Sequence, residues 1–132
     1  MLSTGCKYAL QAVVKIAREA PAGGYCLTRD IVSGTKLPPS YISKLMQSLV
    51  RGNVLISAKG RRGGFSLRKP AAQITLRQIV EAIDGPLRTY QCVFGEIRCD
   101  ATHPCNRVDR WKTVNRNLDE FLDRTTLAEL AK

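Results

Sequence analysis

Three thiols and one imidazole lie close together in the second half of this chain. Cys92, Cys99 and Cys105 follow at gaps of seven and six residues, and His103, the only histidine, precedes the third cysteine by two. Three chemistries fit such donors. Thiolates ligate iron–sulfur clusters, of the 2Fe–2S or 4Fe–4S type, and together with imidazole they ligate zinc. Without a metal, thiols near cations such as Arg98 and Arg107 ionise more readily and oxidise reversibly. Three thiolates leave a four-ligand set one short. His103 is the nearest candidate for the fourth, with Glu96, Asp100, Asp109 or a residue of a second subunit as alternatives. The His-x-Cys spacing is not that of the usual zinc fingers.

The other two cysteines, Cys6 and Cys26, stand apart and are expected as small packing groups. Five cysteines in all do not suit a closed disulfide framework, and no export signal precedes them, so a cytoplasmic, reducing location is expected. The enzyme alternative, a small thiol oxidoreductase, finds little support in the motifs. There is no Cys-x-x-Cys, no Ser/His/Asp set, and no glycine-rich phosphate loop leading into a helix. No apolar run is long enough for a membrane span, and no small-molecule substrate suggests itself.

Charge points elsewhere. The chain of 132 residues carries a formal charge of +10. From Ile31 to Val80 there is no carboxylate, yet Lys36, Lys44, Arg51, Lys59, Arg61, Arg62, Arg68, Lys69 and Arg77 all fall there. Cations so placed repel one another unless a polyanion is the habitual partner.

The elements that must position these groups follow from periodicity. Tyr8, Ala9, Ala12, Val13, Ile16 and Ala17 predict an amphipathic helix over 3–19. Thr28 is expected to cap a short helix over 29–33, and a turn over 35–38 leads to a second helix opened by Pro39 and Ser40. That second helix buries Ile42, Leu45, Met46 and Leu49 and ends near Gly52. Helix, tight turn and helix make the helix-turn-helix plan. Strand-like runs at 54–58 and 65–68 flank "KGRRGG", a glycine-permitted hairpin tip bearing three cations. A hairpin directly behind a helix-turn-helix is a wing. Thr75 with Gln78 forms a capping box for a helix through Ile83. Val108, Trp111, Val114, Leu118, Phe121 and Leu122 predict a long C-terminal helix, and Thr126 with Glu129 a last short one.

In that geometry the second helix enters the major groove. Ser40, Tyr41, Ser43, Lys44 and Gln47 lie off its apolar stripe and are the candidates for bases or phosphates. Lys59, Arg61 and Arg62 suit the minor groove. The long C-terminal helix is expected to pair with a second copy.

"KYALQAVVKIA", "LPPSYISKLMQSLVRGNVLISAKGRRGGFSL", "ITLRQIVEAIDG", the spaced cysteines with Trp111 beyond them and "TTLAEL" together resemble the IscR/NsrR-type regulators of bacteria. The resemblance runs in order over nearly the whole chain. It implies a homodimeric transcription factor on promoter DNA, with Ser40, Ser43 and Lys44 on the recognition helix and Lys59 at the minor groove. It also implies an iron–sulfur cluster on Cys92, Cys99 and Cys105 that modulates binding. The first cysteine gap is one residue longer than the family pattern. The two positions where members place a fourth ligand hold Val108 and Lys7.

The expectation is a mainly α fold with a small β-hairpin wing. A winged helix-turn-helix domain would span 1–84, a cysteine-containing sensing loop 85–106, and a dimerisation helix with C-terminal tail 107–132.

Overall fold

A computed structural model describes residues 2–20, 24–33, 37–60, 63–87 and 108–132, with side chains from 110 onward in the last stretch. Helix α1 (Thr4–Glu19) starts where the Ser3 hydroxyl accepts the Cys6 amide, 3.0 Å away, satisfying one of the free amides of a helix start. Its inward stripe is Cys6, Ala9, Ala12, Val13 and Ile16, all buried. The small side chains let neighbouring helices approach closely.

Helix α2 (Thr28–Val32) contributes Ile31 to the core. Thr28 is not its cap, as the sequence suggested: it is the first helical residue, and Leu27 holds the cap position without a side-chain bond. The amides of Asp30 and Ile31 bond the Leu27 carbonyl, so backbone does what a threonine cap was expected to do. Helix α3 (Pro39–Arg51) opens with proline in its first turn, where a missing N–H costs nothing and φ is preset. It buries the expected Ile42, Leu45, Met46 and Leu49.

Strands β1 (Leu55–Ala58) and β2 (Gly64–Leu67) pair antiparallel, with Leu55 opposite Leu67 and Ala58 opposite Gly64. Cys26 adds a short third edge. Its amide donates to the Phe65 carbonyl at 2.8 Å, and its carbonyl accepts the Phe65 amide at 2.9 Å. The wing is therefore stitched to the chain just ahead of α2.

A 3-10 turn at Ala71–Gln73 leads to α4 (Leu76–Asp84), which begins with the expected capping box. The Thr75 amide donates to Gln78 Oε1 at 3.0 Å and the Gln78 amide to the Thr75 hydroxyl at 3.2 Å. After the cysteine segment come α5 (Val108–Arg124) and α6 (Leu127–Leu130), the latter capped by Thr126.

The end of the chain returns to the winged unit. The Leu76 amide donates to the Thr125 carbonyl and the Leu127 amide to the Ile74 carbonyl, at 2.8 and 2.9 Å. Leu127 is fully buried among α1 and α3 residues, while Leu122 joins Cys6, Leu76 and Val80 in a second cluster. Arg18 donates to the carbonyls of Ala131 and Lys132. Burying a leucine stabilises a fold by about 1.5–3 kcal/mol, so these contacts make 122–132 a structural part of the winged unit. Among the described residues no helix is long and apolar enough to cross a membrane.

Candidate nucleic-acid interface

Helix α3 has two faces. Opposite the buried stripe, Ser40, Lys44 and Gln47 are exposed and Ser43 is half-buried. Spacings of four and three residues put Ser40, Lys44 and Gln47 on one side of the helix, and exposed Arg51 extends the row. Arg51 donates to the Ser48 hydroxyl at 3.1 Å, and Ser48 donates to the Lys44 carbonyl at 3.3 Å. Tyr41 turns away from this row. Its ring meets Tyr8 of α1 edge-on, with centroids 6.3 Å apart and planes at 83°. Tyr41 therefore packs α3 against α1.

The hairpin presents exposed Lys59 beside Gly60, whose φ is +104°. Gly63 and Gly64 are dictated by close approach. A Cβ on Gly63 would sit 2.2 Å from the Ala58 carbonyl oxygen, and one on Gly64, at φ +151°, 2.2 Å from that of Cys26. Lys59 thus leads into a hairpin whose return strand requires glycine at Gly63 and Gly64. Arg61 and Arg62 lie outside the described residues.

Arg77 is the one cation of the carboxylate-free zone with an ion pair among the described residues. It donates to Asp123 at 2.5 Å, Asp119 at 2.6 Å and Glu81 at 3.3 Å. The bonds to Asp123 and then Asp119 push its affinity for the proton above the ordinary value. Lys44, Arg51, Lys59, Arg68 and Lys69 make no ion pair there. Among the described residues no carboxylate pairs with the cations of α3 and the wing, while Glu81, Asp119 and Asp123 gather at the α4–α5 contact. The sequence marked Arg77 only as one more cation; its partners are more than forty residues away along the chain, apart from Glu81 one turn on.

Cys6 and Cys26 are buried. Burial first, then the charge and hydrogen bond of Asp84, pushes the Cys6 thiol up to about 11. Burial, with Glu19 and Asp30 nearby, also raises Cys26 against an opposing pull from Lys15. Both stay protonated near neutral pH, which suits packing groups and not ligands. Cys92, Cys99, Cys105 and His103 lie outside the described residues. Among the described residues no group of three or more His, Cys, Asp or Glu side chains is placed to hold a metal ion.

Residues 2–132 match the family model Rrf2, described as an iron-dependent transcriptional regulator. The chain is 30% identical over 129 residues to an HTH-type transcriptional regulator of Neisseria meningitidis serogroup A, covering 98% of this chain and 86% of that one. It is 28% identical over 129 residues to the HTH-type transcriptional regulator IscR of Cronobacter sakazakii, covering 98% and 78%. Its fold resembles CymR (YrzC), the global cysteine regulator of B. subtilis, with a TM-score of 0.79 at 24% identity over 99% of this chain and 95% of that one. These relatives are regulators and not enzymes. A winged helix-turn-helix with a basic, glycine-built wing, matched from end to end by one family, places this chain in the Rrf2 family of DNA-binding transcriptional regulators.

Proposed function

We propose that the protein works as a cytoplasmic homodimer on promoter DNA, and that the thiol segment sets its affinity. Each α3 lies in a major groove, where Lys44 and Gln47 face base edges and Ser40 and Ser43 bond bases or phosphates. The wing enters the flanking minor groove with Lys59, Arg61 and Arg62. The observation that carries this reading is the shared exposure of Ser40, Lys44, Gln47 and Lys59 in a zone without carboxylates.

Helix α5 supports pairing. Val114 and Phe121, seven residues apart, are 53% and 55% exposed, while Leu122 on another face is buried in its own subunit. Two apolar groups at heptad spacing suit a second copy related by a two-fold axis, the symmetry of paired half-sites.

Cys92, Cys99 and Cys105 are the thiols left after Cys6 and Cys26 are assigned to packing. Three thiols fit an iron–sulfur cluster, with His103 as the fourth ligand in the chain, and the iron-dependent description of the family agrees. A bound cluster supplies a redox- and iron-responsive group that holds its cysteines together. The chain's own residues carry the consequence. The Leu87 amide, at the root of the cysteine segment, donates to Glu81, which also accepts from Arg77. Arg77 in turn holds α5 through Asp119 and Asp123. A change of state at Cys92, Cys99 and Cys105 would thereby reach the helix that spaces the two α3 helices.

Protein purified without oxygen tests the cofactor. Iron with broad visible absorption, lost in Cys92→Ala, Cys99→Ala and Cys105→Ala and kept in Cys6→Ala, is the expected result. Colourless protein with stoichiometric zinc assigns the site to zinc. Colourless, metal-free protein leaves a thiol switch, seen as reversible oxidation of these three cysteines.

A further inference from the structure

A groove of about 310 Å³ runs between the first turn of α2 and the wing, lined by Thr28, Arg29, Ala58, Gly60, Gly63 and Gly64. We infer that this groove clamps a phosphate of the DNA backbone, with Arg29 as its cation and Thr28 as its neutral donor. The inference rests on the winged DNA-binding reading, and it assigns to DNA two residues outside α3 and the hairpin.

The groove is built for close approach. Its hairpin wall is bare backbone, because Gly63 and Gly64 leave no room for a Cβ beside Ala58 and Cys26. The Cys26–Phe65 bonds hold that wall beside the start of α2. Arg29 is exposed and Thr28 half-buried, and neither side chain has a hydrogen bond or ion pair among the described residues. Among the described residues no carboxylate lines the groove. Asp30, next along the helix, lines a separate cavity with Lys15, Glu19 and Cys26 on the α1 side of α2. One face of a five-residue helix thus carries an unpaired guanidinium and the other the carboxylate.

Electrostatics and continuity select DNA as the occupant. Lys59 stands exposed next to the groove on the hairpin that it shares. A guanidinium fork fits two phosphate oxygens, and a threonine hydroxyl can donate to a third. The groove shares the wing's hairpin, so the phosphate it holds would belong to DNA that the wing already engages. Such contacts set register and do not read sequence.

Equilibrium binding over a range of salt concentrations tests the clamp, using a duplex selected from a random pool by the wild-type protein and a scrambled duplex. Arg29→Ala should make the slope of log affinity against log salt shallower by about 0.9, one phosphate's worth. Both duplexes should weaken by the same factor. Arg29→Lys should keep the slope and lose part of the affinity, and Thr28→Val should weaken binding with the slope unchanged. If Arg29→Ala keeps wild-type affinity and slope while Lys44→Ala weakens binding, the clamp is wrong and the α3 reading stands. If the wild-type protein selects and holds no duplex, the reading and the clamp both fall.

Discussion

Lys44 and Gln47 differ from Tyr41 by their place on one helix, and substitution should separate them. Gln47→Ala is expected to relax base preference at one position, by about 1–3 kcal/mol if the amide pairs with a base. Lys44→Ala weakens binding; equal loss on matched and mismatched duplexes assigns it to phosphate. Tyr41→Phe keeps the edge-on contact with Tyr8 and should leave both DNA affinity and stability near wild type. Tyr41→Ala should lower the unfolding free energy, since an aromatic pair adds about 0.5–1.5 kcal/mol beyond its buried area. Competition binding and urea unfolding measure the two effects. Cys6 gives the fold a pH dependence. Its folded thiol titrates near 11 against an ordinary 9.0, so the folded protein holds this proton more tightly than the unfolded chain. The resulting stability is fully present below pH 9 and is lost as the pH rises to about 11, by on the order of 2–3 kcal/mol. Cys6→Ala should be less stable at pH 7 and lack this alkaline decline in urea midpoints.

At the scale of elements, the junction of α4, α5 and the root of the cysteine segment depends on Arg77. Arg77→Ala removes three carboxylate contacts, all partly exposed, and is expected to cost about 1–2 kcal/mol after allowance for solvent screening. It should also weaken the dependence of DNA affinity on the state of the thiols; unchanged coupling in a folded variant would rule this junction out as the route. The elements themselves were legible wherever their signals were local. The capping box at Thr75 and Gln78, proline at the start of α3, the cap at Thr126 and the glycine-rich hairpin all follow from residues within one turn of one another. What the sequence hid was non-local. The bridge from Cys26 to Phe65 and the return of Thr125 and Leu127 to Ile74 join distant segments, and no periodicity announces them. Thr28 misled because a good capping residue stood where backbone geometry had already placed Leu27. The groove residues Thr28 and Arg29 escaped for the same reason: the bridge that places them against the wing is invisible in the chain.

The molecule carries exposed cations on α3 and the wing and exposed apolar Val114 and Phe121 on α5. Phe121→Glu, or Val114→Glu, is expected to give a folded monomer by sedimentation and to weaken DNA binding, because two half-sites no longer act together. A Phe121→Glu protein that remains a dimer would remove α5 from the interface. The composition, charge zone and winged plan pointed to a DNA-binding regulator from the sequence alone, and the family match agrees. The thiols gave only a choice among chemistries, since ligand geometry depends on a fold that spacing does not encode. On the proposed function, the state of Cys92, Cys99 and Cys105 sets how tightly α3 and the wing hold DNA. The most direct measurement is the affinity of one oxygen-free preparation for its selected duplex, at fixed salt, before and after air oxidation. A change of at least about fivefold, the lower end of ordinary allosteric coupling, reversed by reduction or by iron and sulfide and absent in the Cys92→Ala/Cys99→Ala/Cys105→Ala protein, is the expected result. Identical affinity in both states would contradict it.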